Sequence, residues 1–145
     1  MDYFIEKITQ KDFKNVLYVL GNGRKVNPKD IFVVKKYFSN KWIGYGAYNP
    51  ISKRHKCMIG YCFIKYPRKR PETMTVVHEK FRNQGIATHL RNFALKDRKF
   101  IGHIVYSAVK IDNPSSFKSI LKSGFQVFDV TKDGYIQLIK ILKYQ

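Results

Sequence analysis

The segment Val76-Val77-His78-Glu79-Lys80-Phe81-Arg82-Asn83-Gln84-Gly85-Ile86-Ala87-Thr88 carries the residue types that hold a phosphate. It reads as a buried strand, a short polar turn, and a glycine at the start of a helix. A helix N-terminus has unpaired N–H groups and a partial positive charge, so it attracts anions. Gly85 and Ala87 are small enough to let a pyrophosphate approach the backbone. Arg82, Lys80 and Arg91 add positive charge nearby. Binding of a phosphate-bearing ligand is the chemistry this spacing suits.

The elements that must position this turn follow from periodicity and punctuation. Tyr3 to Ile8 reads as a first strand, and Thr9 or Gln10 opens a helix with Phe13, Val16, Leu17 and Leu20 at helical spacing. Gly21-Asn22-Gly23 ends that helix, and Asn27-Pro28 starts the next, with Ile31, Val34 and Phe38 as its expected buried face. Lys41 to Tyr48 is a second strand stopped by Asn49-Pro50; Cys57 to Tyr66 is a third, closed by Pro67 and Pro71; Thr73 to Val77 is a short fourth. A third helix runs from Gly85 to about Asp97, with Ile86, Leu90, Phe93 and Ala94 as a core stripe. Ile104 to Ile111 is a fifth strand, and Asn113 to Ser123 a fourth helix ended by Gly124. Phe125 to Val130 and Tyr135 to Leu142 form a last hairpin around Lys132-Asp133-Gly134. The order β-α-α-β-β-β-α-β-α-β-β is an α/β pattern with one parallel crossover in its middle.

A second window sharpens the first. Asn113-Pro114-Ser115-Ser116-Phe117-Lys118-Ser119-Ile120-Leu121-Lys122-Ser123-Gly124-Phe125 opens a helix with Asn and closes it with Gly-Phe. Together with Arg82-x-x-Gly85-x-Ala87 and the element order, it resembles the GNAT superfamily of acyl-CoA-dependent N-acetyltransferases. The resemblance covers nearly the whole chain in element order, and residue identity is confined to the two windows. It implies a single domain over residues 1–145 with a mixed, mostly antiparallel sheet of about seven strands. The sheet would be splayed between strands four and five and flanked by about four helices. It implies acetyl-CoA as co-substrate. Val76 and Val77 would bond the pantetheine arm; Arg82, Asn83, Gln84, Gly85, Ile86, Ala87 and Thr88 would hold the pyrophosphate; Asn113, Ser116 and Phe117 would line the far wall.

Acyl transfer to an amine needs a proton removed from the amine and tolerates a proton given to the leaving thiolate. Many GNAT enzymes carry a Tyr four residues before the helix-ending Gly, where this chain has Ile120, which cannot donate a proton. For the base, Glu72, His78 and Glu79 are the candidates. Glu72 stands one residue out of the family's register, which turns it to the other face unless a bulge intervenes. His78 has a suitable ordinary pKa but also reads as a solvated strand end. Glu79 reads as a turn residue and Tyr106 as core or channel wall. Tyr45 and Tyr48 read as strand packing that could meet substrate.

The 145 residues suffice for one packed core. Lys and Arg number 28 against 10 Asp and Glu, for a formal charge of +18, which draws nucleic acid, acidic proteins or anionic cofactors. The basic runs Lys53-Arg54-His55-Lys56 and Arg68-Lys69-Arg70 are expected at opposite ends of the sheet. Four scattered histidines give no metal spacing, and Cys57 and Cys62, an odd five residues apart in one strand, are expected on opposite faces and unpaired. No apolar run spans a bilayer, and Met1-Asp2-Tyr3-Phe4-Ile5-Glu6 lacks signal architecture, so a cytoplasmic monomer or homodimer is the expectation. Three readings follow: an N-acetyltransferase of a primary amine, the same chemistry on a nucleic-acid-associated substrate such as aminoacyl-tRNA or a ribosomal protein, and a non-catalytic binding or inhibitory protein of the same fold.

Overall fold

The computed structural model describes residues 2–39, 41–50, 56–65 and 70–143. Strand β1 (Phe4–Lys7) is followed by a single 3-10 turn and helix α1 (Phe13–Leu20), then α2 (Pro28–Tyr37). Strands β2 (Trp42–Pro50), β3 (Lys56–Lys65) and β4 (Thr73–Val77) complete one antiparallel sheet in the order β1-β2-β3-β4. Helix α3 (Ile86–Leu95), strand β5 (Ile104–Lys110) and helix α4 (Pro114–Lys122) lead to β6 (Gln126–Val130) and β7 (Tyr135–Ile141). The last strands form a second antiparallel sheet, β5-β7-β6.

The two sheets touch at one parallel bridge, Glu72 with Tyr106, where the Tyr106 N–H donates to the Pro71 carbonyl at 2.8 Å. Beyond it β4 and β5 part, so the crossover strand-helix-strand brackets a fork. This is the splayed seven-stranded, four-helix architecture expected, with the split complete enough to make two sheets.

Local chemistry explains the elements. The Asn27 side chain accepts the Asp30 N–H at 2.8 Å, and Pro28 supplies a preset first turn for α2. Its buried face is Val34 and Tyr37; Ile31 and Phe38 are only partly covered. Strand β2 does not stop before Asn49-Pro50 but runs through it, pairing Pro50 with Lys56. Strand β1 reaches only Tyr48, so Pro50 lies past it with one side open, where a missing N–H costs no ladder bond.

The β1–β4 sheet has a core on each face. One, under α3, joins Ile43, Ala47, Ile59, Cys62, Ile64, Val77, Ile86, Leu90 and Ala94 to residues of the second sheet such as Val105 and Leu138. The other, under α1 and α2, is mainly aromatic: Tyr37, Tyr48, Tyr61 and Phe63 with Val16, Val19, Val34 and Met58. Strand β3 serves both through a bulge. Ala47 pairs with Gly60 and Tyr48 with Met58, leaving Ile59 without a partner on β2. Met58 and Tyr61 therefore share a face despite an odd spacing. The same bulge voids the parity argument for Cys57 and Cys62. Both are free thiols, and five residues of extended chain, about 16 Å, separate them.

Candidate functional site

Beside β4, between α3 and α4, lies a cleft of about 700 Å³. It is lined by Thr75 to Val77 of β4, by the turn and first half of α3 from Phe81 to Arg91, and by Asn113 to Ser119 and Lys122 at α4. Helices α3 and α4 both begin at its mouth. Their free N–H groups and partial positive ends meet there, joined by Arg82, Lys118 and Lys122.

The mouth is shaped by two left-handed residues, Asn83 (φ 64°) and Gly85 (φ 77°). A Cβ at Gly85 would meet nothing within 4 Å, so the glycine is required by its φ and keeps that space open for a ligand. The Ser115 hydroxyl donates to Asn83 Oδ1 at 3.4 Å, tying the α3 turn to the start of α4. Asn113 caps α4, its Oδ1 accepting the Ser116 N–H at 3.2 Å, which leaves its Nδ2 as a donor. The Arg82 Nε donates to the Val77 carbonyl at 3.0 Å, folding the guanidinium back over the strand end.

Backbone direction along β4 can be read from its bonds. Lys65 N–H donates to Glu72 O and His78 N–H to Ile59 O, so the even-numbered residues face β3. The alternation turns the N–H and C=O of Thr75 and Val77 toward the fork. Val76 thus belongs to the ladder with Tyr61 and offers the cleft wall rather than backbone bonds. Thr75, which the motif reading passed over, is the lining residue of β4 farthest along the strand from the α3 turn.

The other sequence candidates separate. Asn83, Gly85, Ile86, Ala87, Thr88 and Ser116 line the cleft with Val76, Val77, Arg82 and Asn113. Gln84 is exposed on the turn outside the lining, and Phe117 packs against the α3 core. The resemblance implies their roles by motif position, which does not resolve which way a turn or helix side chain points. Glu72 is exposed at the bridge that closes the fork, and alternation puts it on the α2 face with Met74 and Val76. Its charge helps raise the Tyr37 hydroxyl, after burial, above the usual tyrosine range.

His78 is no solvated strand end: it is 2% exposed, stacked on Tyr18 with ring centroids 5.4 Å apart and edge-on to Phe81. Its Nδ1 accepts the Lys80 N–H at 3.2 Å, which fixes the ring. Glu79 pairs with Arg24 at 3.4 Å, and its N–H donates to Asn22, clamping the α1–α2 loop. Tyr106 stands partly buried under the Arg70 guanidinium, 4.3 Å from its ring centroid. Tyr48 is wholly buried, donating to Asp12 Oδ1 at 3.0 Å, so it is packing; Tyr45 lies edge-on to Phe93. Phe93 itself is 40% exposed, off the expected stripe. The basic runs of residues 53–56 and 68–70 lie almost wholly outside the described residues. Among the described residues no group of three His, Cys, Asp or Glu could hold a metal, and no helix is long and apolar enough to cross a membrane.

The family model of the GNAT acetyltransferases matches residues 3–125. The chain belongs to the GNAT acetyltransferase family. No curated protein sequence matches it. Among solved structures, the ribosomal-protein-S18-alanine N-acetyltransferase from Escherichia coli superposes with a TM-score of 0.77 at 11% identity, covering 99% of this chain and 96% of that one. An N-acetyltransferase from Staphylococcus aureus Mu50 gives 0.76 at 14% identity, covering 99% of this chain and 100% of that one. The Salmonella typhimurium protein yncA, solved with its cofactor acetyl-CoA, gives 0.73 at 12% identity, covering 100% of this chain and 96% of that one. At these identities the likeness is one of fold. The GNAT fold therefore frames this cleft, whose donors and small residues suit a ligand bearing a pyrophosphate.

Proposed function

We propose that this GNAT domain is an N-acetyltransferase that moves an acetyl group from acetyl-CoA to a primary amine by direct attack in a ternary complex. The observation that carries the reading is the cleft beside β4, where α3 amides, Gly85 and Ala87 meet the edge of Thr75 and Val77 that β5 leaves uncovered. Pyrophosphate would sit at the α3 turn, and the pantetheine arm would run along that edge. Fixed N–H donors beside a thioester carbonyl supply electrostatic stabilisation, and holding the amine against it supplies proximity. Glu72, solvent-accessible at the closed end of the fork, is the better placed base. His78 is enclosed by Tyr18 and Phe81 and is assigned to the architecture of the turn.

The acceptor is inferred to come from the α2 side, where Glu72 lies. A formal charge of +18 favours a second reading, in which the amine belongs to aminoacyl-tRNA or a ribosomal protein. One experiment tests both. Acetyl-CoA should raise the melting temperature, and turnover against pooled amines, ribosomal proteins and charged tRNA, read by mass spectrometry, should identify the acceptor. No melting shift at saturating acetyl-CoA would overturn the enzyme readings. Acetylation confined to small amines would remove the nucleic-acid reading.

A further inference from the structure

Arg91, a charge expected near the phosphate turn, is instead buried between α3 and α4. It sits on α3 below the mouth and is 3% exposed, yet it lines the cleft. Its Nη1 donates to Ser119 O at 3.2 Å, Ser119 Oγ at 3.2 Å and Ser123 Oγ at 2.9 Å. Thr88 bonds the same Ser119 hydroxyl at 3.0 Å, so the guanidinium is held between the two helices. Its Nε is buried with no hydrogen-bond partner.

Among the described residues the charge has no counter-ion. Ser119 and Ser123 bond it, its charge acts on Cys62 of β3, and Thr75, Arg82, Lys118 and Lys122 share the cleft it lines. From β7, Lys140 donates to the Ser123 carbonyl at 2.6 Å. None is a carboxylate, and the described ion pairs lie elsewhere, at Arg24–Glu79 and Lys56–Glu6. The Cys62 thiol is pushed up by burial, against weaker pulls from Thr75 and Arg91, so it stays neutral and cannot balance the charge. Burial also pulls Arg91 down, but a guanidinium stays protonated in proteins. A buried cation without a partner is costly unless something anionic arrives. The hydroxyl of Thr73, two residues deeper on β4, is likewise buried without a partner.

We propose that Arg91 stabilises the thiolate that leaves during acyl transfer, supplying with fixed charge what a proton donor at position 120 would supply with a proton. The inference rests on the acetyltransferase reading. The amine nitrogen bonds the carbonyl carbon, the C–S bond breaks, sulfur keeps the electron pair, and the amine proton leaves to solvent or Glu72. Negative charge therefore grows on a sulfur that no neighbouring acid neutralises, since Ile120 is a core residue at 4% exposure. Thr75 is the lining residue of β4 farthest along the strand from the α3 turn, and its hydroxyl donates to Cys62 at 3.3 Å. Arg91 lines the same cleft as Thr75, and its charge acts on that Cys62.

The test titrates the thiol of bound CoA by the ultraviolet absorbance of its thiolate, with the desulfo-CoA complex as blank. In the wild-type domain the thiol should ionise about one pH unit or more below that of free CoA titrated alongside, a tenfold shift toward thiolate. R91K should keep much of the shift and R91M should lose it. The preference for CoA over desulfo-CoA should accordingly grow with pH in the wild type and vanish in R91M. If R91M does not fold, the wild-type titration decides alone: an unshifted thiol overturns the proposal. Equal loss of CoA and 3′,5′-ADP binding in R91M would make Arg91 a phosphate contact and would also overturn it. Failure of CoA to bind the wild type would instead refute the acetyltransferase reading itself.

Discussion

Each face of the β1–β4 sheet buries one charged side chain among the described residues, and the two are treated oppositely. On the aromatic face, Asp12 accepts from the Thr9 N–H at 3.0 Å, the Asn15 amide at 3.1 Å and the Tyr48 hydroxyl at 3.0 Å. Every lone-pair direction it needs is met inside the protein. On the aliphatic face, Arg91 has one nitrogen shared among three oxygens of α4 and another with none. A saturated buried ion is a structural part; an unsaturated one beside a cleft is a group awaiting a ligand. The faces differ in packing to match. Flat rings over glycines seal the Asp12 side, whereas small residues and a parted strand edge keep the Arg91 side open.

The strongest way to break this contrast is to crowd the sealed face. A Cβ at Gly44 would lie 2.4 Å from Cε1 of Phe63, a ring stacked on Tyr37 and buried with Tyr61. Gly44→Ala should therefore cost about 3 kcal/mol, the upper part of the overpacking range. Denaturant melts would measure it. Acetyl-CoA should raise the stability of the variant by the same increment as in the wild type, because the faces have separate jobs. A lost increment would mean that the aromatic face shapes the cofactor cleft.

Crowding the open face should do the reverse. Ala87 lies in the first turn of α3 and lines the cleft mouth. Ala87→Glu puts a long anion where a pyrophosphate would come, yet a carboxylate there suits the helix dipole, so the fold should hold. At a hundredfold excess over Kd a ligand adds about 2.7 kcal/mol of stability, and the variant should forfeit it. A thermal shift unchanged from wild type would place the cofactor elsewhere.

The two faces were also unequally legible in the sequence. Gly85, Ala87 and the Asn113 cap announce themselves, because positive φ, small size and an N-terminal Asn before Pro are local demands. The element order followed from the same kind of signal. For Arg91 the sequence shows only positive charge near a phosphate turn, because its burial depends on Ser119 and Ser123, 28 and 32 residues away. The solvated reading of His78 fails because Tyr18, from α1 far back in the chain, stacks on it while Phe81 meets it edge-on. Thr75 was missed because a strand edge is exposed by what β5 does, not by any residue of β4. The bulge at Ile59 carries Gly60, but a lone glycine in a strand does not say where the register slips, and this slip decides which side chains of β3 meet which core.

The smallest expected effect separates the two ions by pH. Burial alone would raise the Asp12 carboxyl, but Thr9, Asn15, Tyr48 and the Lys56 charge together hold it below its ordinary value. A carboxyl lowered in the folded state contributes stability that is complete above its unfolded pKa, about 3.9, and is lost as pH falls through the folded value. Asp12→Asn keeps the shape and removes the charge. Between pH 6 and 8 the variant should be less stable by about 1–2 kcal/mol, a charged hydrogen bond's share. Below about pH 4 the gap should close, as the wild-type carboxylate gains its proton. A gap that persists unchanged in acid would mean that Asp12 stabilises by shape rather than charge. Its contrast with the unsaturated Arg91 would then rest on geometry alone.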